Sequence, residues 1–186
     1  MKIFIKNMVC NRCITAVEKV FNDLKMEISH IELGEVETKN NFDEKEILKL
    51  DNRLQETGFQ ILEDSSKKQI EIIKKYIILK INDLDVSEDF VLSKFLSEKM
   101  NKEYSAISKL FSQNENVTLE QYFILQKIEK VKELIIYNEF TLTEISQKLG
   151  YKSVQHLSNQ FKKMIGFSPT QFLKSKDKKR IALDKV

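Results

Sequence analysis

Ile3 and Ile5 fall on one face of the opening KIFIK, with Lys2, Phe4 and Lys6 on the other, and this alternation predicts a strand over residues 1–7. The period then changes. Ile14, Val17, Val20, Phe21 and Leu24 recur at helical spacing and predict an amphipathic helix over 12–25. Ile28, Ile31 and Leu33 give a strand signal, Gly34 a turn, and Val36 the start of another strand. Ile47, Leu48, Leu50 and Leu54 place a second helix over 43–56, with Asn41 as its cap and Gly58 as a left-handed stop. Phe59, Ile61 and Leu62 complete the series as a strand. The order βαββαβ predicts a ferredoxin-like, split-βαβ sandwich over residues 1–64.

The polar run Asp64-Ser65-Ser66-Lys67-Lys68 reads as a domain boundary. Ile70, Ile73, Ile77 and Ile81 follow on one helical face. Their β-branching suits a strand as well, but the length of the run and a cap at Ser65 or Ser66 favour a linker helix over 65–84. Its apolar stripe also suits a homodimer through residues 66–82. From residue 85 to 174 the pattern is helical almost throughout. Ser87 reads as a cap for a helix carrying Phe90, Val91, Phe95 and Leu96. Tyr104, Ile107, Leu110 and Phe111 mark a short helix, and Leu119 to Ile135 a long one. Thr141 caps a helix that Gly150 stops, another runs from Ser153 to Met164, and Ser168-Pro169 begins a last one. Residues 175–186 read as a basic tail. The chain is thus expected to be α+β, an N-terminal sandwich followed by an all-α domain.

Four glycines and one proline are few turn formers, which agrees with a helix-rich chain. Apolar runs are too short and too often charged to span a bilayer, and MKIFIKNMVC lacks the marks of a signal peptide. A cytoplasmic location without membrane contact is expected. The net charge of +3 hides an asymmetry: residues 1–66 hold nine Lys/Arg against thirteen Asp/Glu, so the remainder is strongly basic. Only the C-terminal part is suited to a polyanion.

Within that part, TLTEISQKLGYKSVQHLSNQFKKMIGFSPTQFL joins two helices through Gly150. The second has an inner face of Val154, Leu157, Phe161 and Met164. Its other face carries Gln155, His156, Asn159, Gln160, Lys162 and Lys163, groups that suit base edges and phosphates in a major groove. Ser153 stands where a helix N-terminus meets a phosphate. Leu149-Gly150-Tyr151, Phe161-Lys162 and Gly166-Phe167-Ser168-Pro169 resemble the AraC family of transcription regulators. The resemblance implies a seven-helix unit with two helix-turn-helix motifs bridged by a long helix, and double-stranded DNA as partner. It adds Lys152 to the reading region, and Ser105, Ser108 and Lys109 from a first recognition helix over Tyr104–Phe111. Asn116 and Leu119 stand where the family usually has Gly and Pro.

Cys10 and Cys13 flank Asn11-Arg12 between the first strand and first helix. Two thiols at a helix N-terminus beside Arg12 favour the thiolate form and suit Cu(I) or another thiophilic metal ion, with Met8 as a soft group or an apolar plug. A reactive dithiol and an idle pair in a protein-contact domain are the competing readings. The Met-x-Cys-x-x-Cys loop and Gly58-Phe59 resemble the heavy-metal-associated domain of copper chaperones and metal-transporting ATPases, with Asn7 in place of a common Gly. His30 reads as a surface residue. Together these features predict a DNA-binding regulator with metal or thiol-redox control through Cys10 and Cys13. The rival is a metal chaperone or thiol-handling protein whose helical half docks a partner. No phosphate loop or nucleophile-base arrangement suggests an enzyme.

Overall fold

A computed structural model describes residues 1–175, so the basic tail expected at 175–186 lies almost wholly outside the described residues. The chain divides into two compact units, Met1–Lys75 and Tyr76 onward.

The first unit holds β1 (Lys2–Lys6), α1 (Asn11–Asp23), β2 (Ile28–Glu32), β3 (Glu35–Thr38), α2 (Glu44–Gln55) and β4 (Gln60–Leu62). The strands form one antiparallel sheet in the order β2-β3-β1-β4. Ile3 pairs with Val36 and Ile5 with Ile61, which sets the inward residues of neighbouring strands side by side. Ile3, Ile5 and Val36 share one core with Val17, Val20 and Phe21 of α1 and Leu50 and Leu54 of α2. Burying each such side chain stabilises by roughly 1.5–3 kcal/mol. The cap of α2 is Asp43, not Asn41. Its carboxylate accepts the Glu46 N–H at 2.8 Å while the Glu46 side chain accepts the Asp43 N–H at 2.9 Å, a reciprocal box that Asn41 stands too far upstream to make.

α3 (Ser65–Asn82) is helical as expected, and the division between the units falls within it. Asp64 rather than either serine holds its first turn, accepting the Lys67 N–H at 2.9 Å. Ile70, Ile73, Ile77 and Ile81 are all buried within the single chain, which leaves Leu79 as the helix's exposed large apolar residue.

The second unit continues with α4 (Leu92–Met100), α5 (Tyr104–Asn114), α6 (Leu119–Tyr137), α7 (Leu142–Lys148), α8 (Val154–Ile165) and α9 (Pro169–Lys174). α6 buries Leu119, Tyr122, Ile128, Val131, Leu134 and Ile135. The α4–α5 pair adds Leu96, Ile107 and Phe111, with Phe111 against Tyr122 at 5.4 Å between ring centroids. The α7–α8 pair adds Ile145, Leu149, Leu157 and Phe161, the last beside Phe172 of α9 at 5.7 Å. Thr118, Thr141 and Ser168 each close a capping box with the residue three positions on. No helix among the described residues is long and apolar enough to cross a membrane.

The start of α4 departs from expectation. Ser87 does not cap a helix, which begins only after Val91. The Val86 N–H donates to the Lys148 carbonyl at 3.0 Å, and Val86 bridges Leu149 in parallel, so the chain here is extended. Phe90 then packs beside Phe95 and Phe123 from a turn. This bridge brings backbone against Gly150, where φ is +66° and a Cβ would stand 2.5 Å from the Ser87 oxygen. Gly58 shares the positive φ, +85°, but faces open space. Gly150→Ala should therefore cost about 3 kcal/mol or more, and Gly58→Ala only about 1–2 kcal/mol. Urea unfolding followed by circular dichroism measures both, and equal losses would show that the Val86–Ser87 approach yields freely.

Candidate nucleic-acid interface and thiol pair

α8 begins cleanly because Ser153 is extended (φ −165°) and its Oγ accepts the His156 N–H at 3.1 Å. That bond uses a lone pair, so the hydroxyl hydrogen is left to donate. Leu157 and Phe161 are buried and fix the inner face. Met164, expected on that face, lies in the last turn of the helix and is 38% exposed. Lys152, Gln155, His156, Asn159, Lys162 and Lys163 are exposed together. Gln155 Nε2 donates to Asn159 Oδ1 at 2.8 Å, which aligns the two amides one turn apart while leaving the Gln155 carbonyl and the Asn159 amide hydrogens unused by that bond.

Gln160 is placed differently. It is half-buried, and its Oε1 accepts the Tyr151 hydroxyl at 2.8 Å. Tyr151 is itself buried, and its ring lies 5.5 Å from that of His156 at an interplanar angle of 83°. On α5, Ser105 and Lys109 are exposed and Ser108 is half-buried. The Tyr104 hydroxyl, at the first turn of α5, hydrogen-bonds Glu120 of α6. Burial and that carboxylate hold the Tyr104 phenol above its ordinary value, and the bond holds Glu120 below its own. Asn101, at φ +49°, makes the α4–α5 turn that Gly150 makes between α7 and α8.

Spacing does not disclose the groups behind α8. Lys127 of α6 is 7% exposed, and its ammonium lies 3.7 Å from the centroid of Tyr151 and 5.6 Å from that of Phe123. Burial pushes its pKa down to about 8. The ring face offsets part of this desolvation by a cation–π interaction worth about 2 kcal/mol at a dry site. One turn on, buried Lys132 donates to buried Glu129 at 2.6 Å. The only sequence signal for either is charge inside the apolar repeat of α6.

Cys10 caps α1 through its backbone, and Cys13 lies in the first turn, with sulfurs 3.5 Å apart and both residues half-buried. Burial raises the Cys13 thiol above its ordinary value, although backbone hydrogen bonds from Val9 and Cys10 pull the other way. At Cys13 desolvation therefore outweighs those backbone bonds, against the thiolate form expected there. At metal–sulfur distances of about 2.3 Å, two sulfurs this close can share one ion. Among the described residues no cluster of three or more His, Cys, Asp or Glu accompanies them. Met8 is buried in the core. Asn7 keeps a left-handed backbone (φ +72°), the geometry for which Gly is common, and its Nδ2 donates to the Gly58 carbonyl at 2.9 Å. His30 is exposed on β2.

In the second unit, then, two helix pairs, each closed by a left-handed turn, stand on either side of one long helix. Residues 96–175 match the family described as a helix-turn-helix domain. The Msm operon regulatory protein of Streptococcus mutans is 24% identical over 116 residues, covering 59% of this chain and 37% of its own length. The xylose operon regulatory protein of Escherichia coli is 31% identical over 68 residues, covering 37% of this chain and 17% of its own. The chain therefore matches well under half the length of these curated relatives. Among solved structures, the C-terminal domain of the two-component response regulator yesN from Fusobacterium nucleatum is similar at a TM-score of 0.47 and 25% identity, over 59% of this chain and 99% of that domain.

The buried ammonium sets a pH dependence. Lys127 titrates near 8 when folded against 10.5 ordinarily, so between these values the unfolded chain binds more protons and stability rises with pH. Above pH 10 the trend reverses, because Tyr104 and Tyr151 are raised and hold their protons longer when folded. The gain from pH 8 to 10 should be at most about 3 kcal/mol, offset in part above pH 9, where the raised Cys13 thiol holds its proton longer when folded. Lys127→Met should flatten it, as read from urea midpoints across that range. An unchanged slope would place the titrating group elsewhere.

Proposed function

We propose that this chain is a sequence-specific, double-stranded-DNA-binding transcription regulator of the AraC type, working in the cytoplasm without catalytic activity of its own. One observation carries the reading: the outward face of α8 presents Gln155, Asn159 and His156 beside Lys162 and Lys163, on a helix whose N-terminus is capped by Ser153. An amide pair of this kind suits adenine edges, while Lys152, Ser153 and the two lysines suit phosphates. The helix-turn-helix match over residues 96–175 and the operon regulators among the relatives support the same reading. Ser105, Ser108 and Lys109 of α5 are the corresponding groups of the first motif. A homodimer through residues 66–82 would have to use what α3 leaves outside, Leu79 included.

Control by a thiophilic ion such as Cu(I), or by oxidation, is assigned to Cys10 and Cys13. Two soft sulfurs at 3.5 Å support it, as does the βαββαβ order with a β2-β3-β1-β4 sheet, which suits a heavy-metal-associated, ferredoxin-like domain. Bound there, the ion would supply a cross-link between the loop and the first turn of α1.

Binding-site selection on random duplex DNA tests the first part. Gln155→Ala should lose about 1–3 kcal/mol at one base pair, whereas Lys162→Ala should weaken every sequence alike and reduce the salt slope by about one unit. Even loss across sequences for Gln155→Ala would remove it from base reading. For the second part, affinity for the selected site should change with Cu(I), Hg(II) or oxidant and cease to change in Cys10→Ser/Cys13→Ser. A site affinity indifferent to all of these would reduce the pair to a structural feature.

A further inference from the structure

We propose that Tyr151 is a positioning residue that decides which side chains of α8 meet DNA: it holds Gln160 inward and leaves Gln155, His156 and Asn159 as the reading set. The inference rests on the DNA-reading function above and deepens it. With about 100° between successive residues of an α-helix, Gln160 stands about 40° beyond His156, at the border of the outward face. A glutamine there has two destinations, the groove or the domain. The Tyr151 hydroxyl, donating to Gln160 Oε1 at 2.8 Å, selects the second.

Tyr151 has little freedom to do otherwise. It follows Gly150, whose backbone is confined by Val86 and Ser87. Its ring is 4% exposed, carries the Lys127 ammonium 3.7 Å from its centroid, and meets the His156 ring at 83°. The phenol is therefore a fixed post, and the same ring that retains Gln160 also orients His156. A phenylalanine would keep the ring contacts and remove only the donor. The specificity of α8 then depends on a hydroxyl that itself faces the interior.

The experiment is binding-site selection on random duplex DNA with the full chain as wild type, Tyr151→Phe and Tyr151→Phe/Gln160→Leu, with thermal midpoints recorded alongside. Tyr151→Phe should change the preferred base at one or two adjacent positions, with discrimination there altered about tenfold, because a freed Gln160 reaches the region beside His156. The double variant should restore the wild-type preference, since both partners of the bond are gone and an apolar side chain stays inward. The inference is overturned if Tyr151→Phe selects the wild-type sequence with undiminished discrimination, or if it weakens all sequences evenly. It is overturned equally if the double variant keeps the altered preference. A wild-type chain that selects no sequence would overturn the DNA reading itself, an outcome visible before any variant is compared.

Discussion

Much of the second unit follows from one close approach, in which the backbone of Val86 and Ser87 lies where Gly150 would carry a Cβ. The Val86 N–H is committed to the Lys148 carbonyl, at the open end of α7 where the last carbonyls lack helical partners. An extended strand residue thus does the work of a C-terminal cap. The commitment keeps Ser87 out of a helix, delays α4 to Leu92, and leaves Phe90 in a turn that packs it on Phe95 and Phe123. On the other side of Gly150 it delivers Tyr151 into the interior, next to α6. A residue before the first motif therefore holds the turn of the second, and the angle between α7 and α8 is a property of the whole unit.

α6 carries the remaining tension. A helix packed from most directions has few places for charge, yet Lys127, Glu129 and Lys132 are all buried on it. Each stays only because something specific answers it: an aromatic face for Lys127, and a mutual bond at 2.6 Å for Glu129 and Lys132. Removing one member of such a pair costs about 3–5 kcal/mol, whereas an apolar replacement of both is often neutral. Buried ions of this sort add little stability. Sliding α6 by one position would strand a charge, and α5, α7 and α8 all pack on that one helix.

The elements themselves were largely legible because their signals are local. Alternation marked β1, threefold and fourfold spacing marked the helices, and Thr141 and Ser168 followed by Glu144 and Gln171 announced their own capping boxes. What stayed hidden was decided at a distance. Ser87 has every local mark of a cap, but the N–H of Val86 beside it is taken by the Lys148 carbonyl, far along the chain. Gln160 has the same side chain as Gln155 and stands at the border of the outward face, and spacing alone does not announce the Tyr151 hydroxyl that it accepts. The scarcity of glycine also misleads, because Asn7, Asn101 and Asn138 take left-handed turns that glycine usually makes. Asparagine manages this at modest cost through its short polar side chain, and in Asn7 the same side chain ties the thiol loop to Gly58.

The thiol pair shows two opposing effects at one helix start. The terminus of α1 offers partial positive charge, which stabilises a thiolate by about a kcal/mol where water is excluded only in part. Half-burial of Cys13 beside Met8 and the core removes water from that thiolate and prevails, leaving the thiol harder to ionise than a free one.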